Sequence, residues 1–345
     1  RSGQKYEGKP MKAYVLHAVG DLRYEDIPMP ECPASDWVIV KVMAAGICSS
    51  DVPRVLTKGT YHFPTIPGHE FSGVVCRVGS DVGASWMGRK VGIFPLIPCR
   101  QCAQCREKHY EMCEHYDYVG SRRDGGWAEY VAVPAWNLVP LPDDFSFRAA
   151  AMLEPLSVAL HAMKRIQMPF NADVAIIGTG MIGISAAQWA KLMGANSVTV
   201  IGRHEDKRAL VEGCGVNYAT TIDRTYPFVL EAVGSEVAVN EAIKATSPAG
   251  SLVLMGNPAG NIQLQQDVYW RILRKQLSIN GTWNSSYDGP NASDWTEAVE
   301  AIAKGKVSVE GLISHVFSQE ELPRGLELMV EHRQPYCKIM TIWND

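Results

Sequence analysis

Apolar residues fall along this chain in short runs whose period changes once. Over the first third they come in brief stretches bounded by glycine and proline. Residues 11–16 and 37–42 are rich in β-branched and aromatic side chains and predict strands. Residues 71–78, between Gly68 and Gly79, predict another, and residues 88–94 a tight turn leading into one. Pro28, Pro30 and Pro33 mark a loop. Many short strands punctuated in this way predict a barrel-like β domain.

Near residue 147 the texture changes. Residues 147–163 carry helical spacing with Pro155 as the one strong breaker. Strands and helices then alternate. Residues 173–177 and 197–201 predict strands, each followed by a helix, 181–193 stopping at Gly194 and 205–212 closed by Gly213. Residues 228–233, 251–255 and 277–280 predict further strands. Such alternation predicts an α/β unit with a doubly wound parallel sheet. The uncharged run 174–190 is too short and too glycine-rich for a membrane span, and strand, turn and helix account for it.

Composition narrows the classes. A length of 345 residues suggests about two domains. With 46% hydrophobic and 20% charged residues the chain is not globally disordered. Lys+Arg 33 against Asp+Glu 37 leaves no basic excess for nucleic acid and no block for an anionic membrane. Met11 reads as a native start behind a polar tail, residues 1–10, with no signal peptide in view. Nine cysteines remain to be explained, and an odd number without a secretion signal points to the reducing cytoplasm and to metal, not to disulfides.

Three motifs carry chemistry. Gly178-Thr179-Gly180-Met181-Ile182-Gly183 follows a strand and opens a helix, the context a dinucleotide turn needs. Gly178 permits the turn, Gly180 the approach of a pyrophosphate, and Gly183 close helix–strand packing, while the helix N-terminus offers free N–H groups. At the end of the next strand, where an NAD site keeps a carboxylate, stand Gly202 and Arg203, so NADP is favoured over NAD, with Arg203 on the 2′-phosphate and Lys207 or Arg208 assisting. Cys99, Cys102, Cys105 and Cys113 have the spacing of a closed, structural zinc site. Cys48 and the turn Gly68-His69-Glu70 form a second constellation, for which Glu154, a carboxylate in an apolar segment, is a third candidate. The other histidines show no comparable pattern, His62 excepted, which lies just before that turn.

Together these motifs resemble the zinc-containing medium-chain alcohol and polyol dehydrogenases over nearly the whole chain from Met11. The resemblance implies a GroES-like β-barrel catalytic domain over residues 11–159, a Rossmann coenzyme domain over 160–295 and a return to the first domain over 296–345. It implies two zinc ions per chain. Cys48, His69 and Glu154 match the catalytic ligands, Glu70 a residue that ligates or supports the ion, and Ser50 the hydroxyl that relays the substrate proton. The stretches 95–99, 118–130, 273–277 and 281–285 look like the polyol-phosphate branch, so the implied reaction is hydride exchange between NADP or NAD and a secondary alcohol of a polyol or sugar phosphate. Sorbitol-, threonine- and amino-cyclitol-type activities on the same scaffold, or a non-enzymatic nucleotide binder, are the alternatives. One departure is visible: residues 220–227 are too short for the helix usually found before the fourth strand, which should trim packing and leave chemistry alone. Arg122, Arg123, Arg274 and Lys275 are candidate cations for a substrate phosphate, against pairing of the first two with Asp124. The regions of Leu96, Trp127 and Trp283 are candidate cleft walls. A homodimer or homotetramer is expected, with residues 252–256 and 277–281 near the interface.

Overall fold

The computed structural model describes residues 9–344. The expected tail lies outside them up to residue 8. The chain forms two compact units. Of the described residues, one takes 9–154, Tyr287–Ala303 and 313–344; the other takes Pro155–Ser286 and Lys304–Leu312. The chain therefore returns to the first unit earlier than residue 296 and visits the second once more on its way out.

In the first unit one sheet runs in the order Ile313–Ser318, Lys338–Ile342, Trp37–Ile47, Phe71–Val78, Lys90–Ile93, Leu138–Pro140, and Tyr130–Pro134 also pairs with Trp37–Ile47. The first pair is parallel and the others are antiparallel. A hairpin, Pro10–Ala18 with Asp21–Pro28, is tied in by Tyr14 N–H to the Trp127 carbonyl and Leu16 N–H to that of Thr65, each 2.9 Å. Val38, Val40, Val42, Phe71, Trp127 and Trp343 fill the core of this GroES-like unit.

The Gly68–Glu70 turn is seated by glycines. Gly68 has φ +96°, and a Cβ there would meet Trp127 at 2.4 Å. A Cβ on Gly125 would lie 2.1 Å from the Gly68 carbonyl oxygen, so two backbone segments touch where no side chain fits. Leu96 and Trp127 are fully buried, Trp127 against Gly68.

The second unit is a six-stranded parallel sheet in the order Asn217–Ala219, Ser197–Ile201, Asp173–Ile177, Tyr226–Glu231, Thr246–Leu254, Ser278–Gly281. This is the doubly wound arrangement, with the chain reversing direction at the first strand. The helices Met181–Leu192 and Glu236–Ala245 flank it. No helix joins Asn217–Ala219 to Tyr226–Glu231; six loop residues make the crossover. Leu252 and Val253 lie buried in an interior strand, so Ser278–Gly281 is the open edge on that side.

Candidate active site

Cys48 ends the long strand Trp37–Ile47 and leads into a short helix, Asp51–Pro53. His69 and Glu70 follow the glycine-seated turn. The ligand atoms of Cys48, His69 and Glu70 lie within 4.8 Å of one another. A thiol, an imidazole and a carboxylate in that span are a donor set for zinc, which takes four ligands.

The surroundings fit a cation. Asp51 is fully buried; its Oδ2 accepts from the Cys48 N–H at 2.9 Å and its Oδ1 from Arg54 at 2.5 Å. That Oδ1 also lies 3.4 Å from His69 Nδ1, in ion-pair range but outside hydrogen-bond geometry, so the buried Nδ1 has no hydrogen-bond partner. Burial opposes the charged form of both groups, yet each sustains it in the other: His69 and Arg54 hold Asp51 down at about 2, and Asp51 with Cys48 holds His69 well above the ordinary imidazole value. A metal bound by His69 would take the place of that proton, and a carboxylate behind a ligating histidine is the usual second partner. Glu70 is buried against Lys338, whose ammonium also reaches the Ile47 carbonyl at 3.4 Å. Burial disfavours the Lys338 charge, but Glu70 and Cys48 raise its pKa overall.

Glu154 stands outside the compact set. It lies in the first turn of Leu153–Ile166, and its Oε1 is 3.4 Å from the Tyr118 hydroxyl, which donates to it. Burial pushes its carboxyl up to about 7; His69 opposes this and Glu70 adds to it. The Tyr118 ring is 5.9 Å from that of His69. Ser50 is half-buried at the start of the short helix and makes no capping bond with its side chain. His62 is exposed, its ring nitrogens reaching the Pro64 carbonyl at 3.2 Å and that of Arg122 at 2.9 Å.

Cys99, Cys102, Cys105 and Cys113 gather on a lobe with all four sulfurs within 4.8 Å. Tetrahedral zinc holds its thiolates about 3.8 Å apart, given Zn–S bonds of about 2.3 Å. Cys99 and Cys105 sulfurs are already 4.0 Å apart, and the Cys99 N–H donates to Cys113 Sγ at 3.2 Å. Backbone N–H groups of Glu114 and Cys105 draw Cys102 down to about 6, whereas burial pushes the Cys105 and Cys113 thiols up.

In the second unit a cleft of about 920 Å³ runs from Gly178, Thr179 and Gly180 past Gly202 and Arg203 to the flank of Glu236–Ala245. Gly178 has φ +123°. A Cβ on Gly183 would lie 2.1 Å from the Gly178 carbonyl oxygen, whereas one on Gly180 would meet nothing within 4 Å. Gly180 is thus open towards a ligand, at the N-terminus of the helix that begins with Met181 and Ile182. A side chain at Gly202 would strike Thr179 at 2.4 Å and the Tyr218 hydroxyl at 2.5 Å, so a carboxylate there would require both side chains to move. Arg203 lines the cleft. Arg208 is spent elsewhere, on Glu205, Glu212 and the Tyr218 carbonyl. The six residues Thr220–Thr225 line the cleft as well, so the missing helix alters the site and not packing alone. Glu231, which sequence reasoning passed over, accepts from the N–H groups of Val233 and Gly234 at 2.8 Å and fixes the turn on the cleft wall.

The chain belongs to the zinc-containing medium-chain alcohol and polyol dehydrogenases. The family of the alcohol dehydrogenase GroES-like domain matches residues 34–143, and that of the zinc-binding dehydrogenase matches residues 182–304. Among particular members, galactitol 1-phosphate 5-dehydrogenase of Escherichia coli (strain K12) is 34% identical over 94% of this chain and 98% of its own. Sorbitol dehydrogenase of Bacillus subtilis (strain 168) is 27% identical over 97% and 98%. The crystal structure of the Escherichia coli galactitol-1-phosphate dehydrogenase superposes with a TM-score of 0.89 over 96% of this chain and all of that one, at 34% identity. A zinc-binding dehydrogenase of Sinorhizobium meliloti 1021, solved with NADP, gives 0.87 over 97% and 99% at 27% identity.

Proposed function

We propose that this chain is a zinc-dependent dehydrogenase that moves hydride between the secondary alcohol of a polyol, of the galactitol 1-phosphate kind, and NADP. The Cys48–His69–Glu70 group, backed by Asp51, carries the reading. These three residues would hold a catalytic zinc, with Glu154 as an outer carboxylate and not a ligand. Bound there, zinc supplies Lewis acidity to a substrate oxygen. Asp51 orients His69, and Lys338 neutralises Glu70. Ser50 takes the substrate proton outward. Glu154, poised near neutral pH, is the second group able to hold it. The thiolate lobe would carry a second, structural zinc.

NADP is favoured because Gly202, crowded by Thr179 and Tyr218, stands where an acid would, and Arg203 has no ion-pair partner among the described residues. Thr220 and Thr221 supply hydroxyls to the same cleft. No disulfide joins any of the cysteines among the described residues, which suits a reducing cytoplasm. Homo-oligomerisation through the edge strand Ser278–Gly281 is supported by Tyr269, Trp270 and Leu273, exposed on the helix leading to it.

One set of measurements tests this: metal content, sedimentation, and initial rates with NADP and NAD on galactitol 1-phosphate, sorbitol and threonine. Two zinc ions per chain, an oligomer, and higher kcat/KM with NADP on a polyol are expected. Cys48→Ser should abolish turnover and leave NADPH binding intact. A preference for NAD, or turnover retained by Cys48→Ser, would refute the corresponding assignment.

A further inference from the structure

Of the four cations considered for a substrate phosphate, two are held by polar partners and a third rests on a ring in the other unit. Arg123 pairs with Asp117. Arg274 stacks on Trp270 at 4.7 Å. Lys275 donates to the Lys244 and Thr246 carbonyls at 3.0 and 2.6 Å. Asp124, the expected partner of Arg122, accepts instead from the Ile66 N–H at 2.9 Å.

Arg122 is different. Its guanidinium lies between the rings of Tyr61 and Tyr116, 4.2 Å from each centroid. Nη1 donates to the Tyr116 carbonyl at 3.0 Å, while Nε is buried with no hydrogen-bond partner. The carboxylate whose charge it feels, Asp117, is engaged by Arg123 and by the Tyr118 N–H at 3.0 Å. Stacking on both faces fixes the plane of the cation and, beside its bonds to Tyr61 and to the Tyr116 carbonyl, leaves the remaining N–H groups of its edge for a ligand. A fixed guanidinium edge with no carboxylate is the geometry that takes an oxyanion through paired N–H donors.

The position is suggestive chemically. Arg122 N–H bonds to the Tyr118 carbonyl at 2.9 Å, and the Tyr118 side chain abuts His69 and Glu154. The cation therefore hangs on a tight loop rooted beside the metal-ligand group, within the same unit.

We propose that Arg122 holds the phosphate monoester of a polyol-phosphate substrate and so sets the substrate class. This rests on the dehydrogenase reading above. The test uses the zinc-loaded full chain, with Arg122→Gln and Arg122→Lys beside it, on galactitol 1-phosphate, galactitol and galactonate. Rates give kcat/KM, and calorimetry gives binding of galactitol 1-phosphate without turnover. Losing a charge-assisted pair of hydrogen bonds should lower the ratio of kcat/KM for galactitol 1-phosphate over galactitol about ten- to a hundredfold in Arg122→Gln, through KM, with weakened calorimetric binding. Arg122→Lys should keep the charge, lose the fork and fall between. An unchanged ratio, as a loop staple would give, or a preference for galactonate overturns the proposal. Should the wild-type chain oxidise none of the three, the dehydrogenase reading fails by itself, and calorimetry still decides the role of Arg122.

Discussion

Single residues decide whether the Cys48–His69–Glu70 group can hold a cation. Two of its supports, Asp51 and Lys338, carry no motif. Asp51 sits three places after Cys48, where a polar loop would read the same, and Lys338 is one charge in an apolar terminal strand. Both are buried, and each is kept ionised by a member of the group. Asp51→Asn would leave the shape and remove the negative charge behind His69. We predict that zinc retention at this site falls about tenfold to a hundredfold, the usual cost of losing such a partner. Metal analysis across a chelator series reads it, with the four-cysteine lobe as internal reference; equal retention of both ions would contradict the role.

Elements place these residues, and the placing depends on backbone contacts without side chains. The segment 118–130 is recognisable in sequence as a family stretch, but its physical work is visible only in three dimensions. Gly125 presses on Gly68, which aims His69 and Glu70. Gly125→Ala forces a methyl to within 2.1 Å of a carbonyl oxygen, so the turn must shift. A stability loss of about 1–3 kcal/mol is expected, with activity falling further than stability. Gly83→Ala, whose Cβ meets only the Ser85 hydroxyl at 3.6 Å, is the control and should leave denaturant midpoints unchanged. Equal behaviour of the two variants would dismiss the seat. The same scale explains the six-residue crossover. It was legible as a shortening, but the loop lies along the coenzyme cleft because a parallel crossover must pass over the sheet face.

At the scale of the whole molecule, packing of the first unit sets its tolerance of alkali. Burial pushes the Cys76 thiol from an ordinary value near 9 up to about 11, and raises the Tyr14 and Tyr287 hydroxyls too. All three are acids kept protonated by the fold. Unfolding would lower their pKa values, so above about pH 9 the unfolded chain binds fewer protons and stability declines with pH. The contribution of Cys76 is complete below pH 9 and gone once pH passes about 11. Thermal melts across that window should show a falling midpoint, with a shallower fall for Cys76→Ala. Identical slopes would remove Cys76 from the account.

The sequence by itself determined what is local. Period, turn residues and cysteine spacing are properties of neighbours along the chain, and they pointed to the two kinds of unit, the glycine turn, the four-cysteine lobe and Cys48 with the turn that carries His69, but named Glu154 as the further ligand. Tertiary structure decided what depends on distant segments meeting. It put Glu70 in the compact donor set and Glu154 outside it, brought Lys338 to Glu70 across 268 positions, spent Arg208 on its own helix and left Arg122 stacked between two rings without a direct ion pair. A carboxylate or a guanidinium looks the same in sequence whether paired or free. Only the folded chain settles its partners, and with them its charge, its pKa and its use.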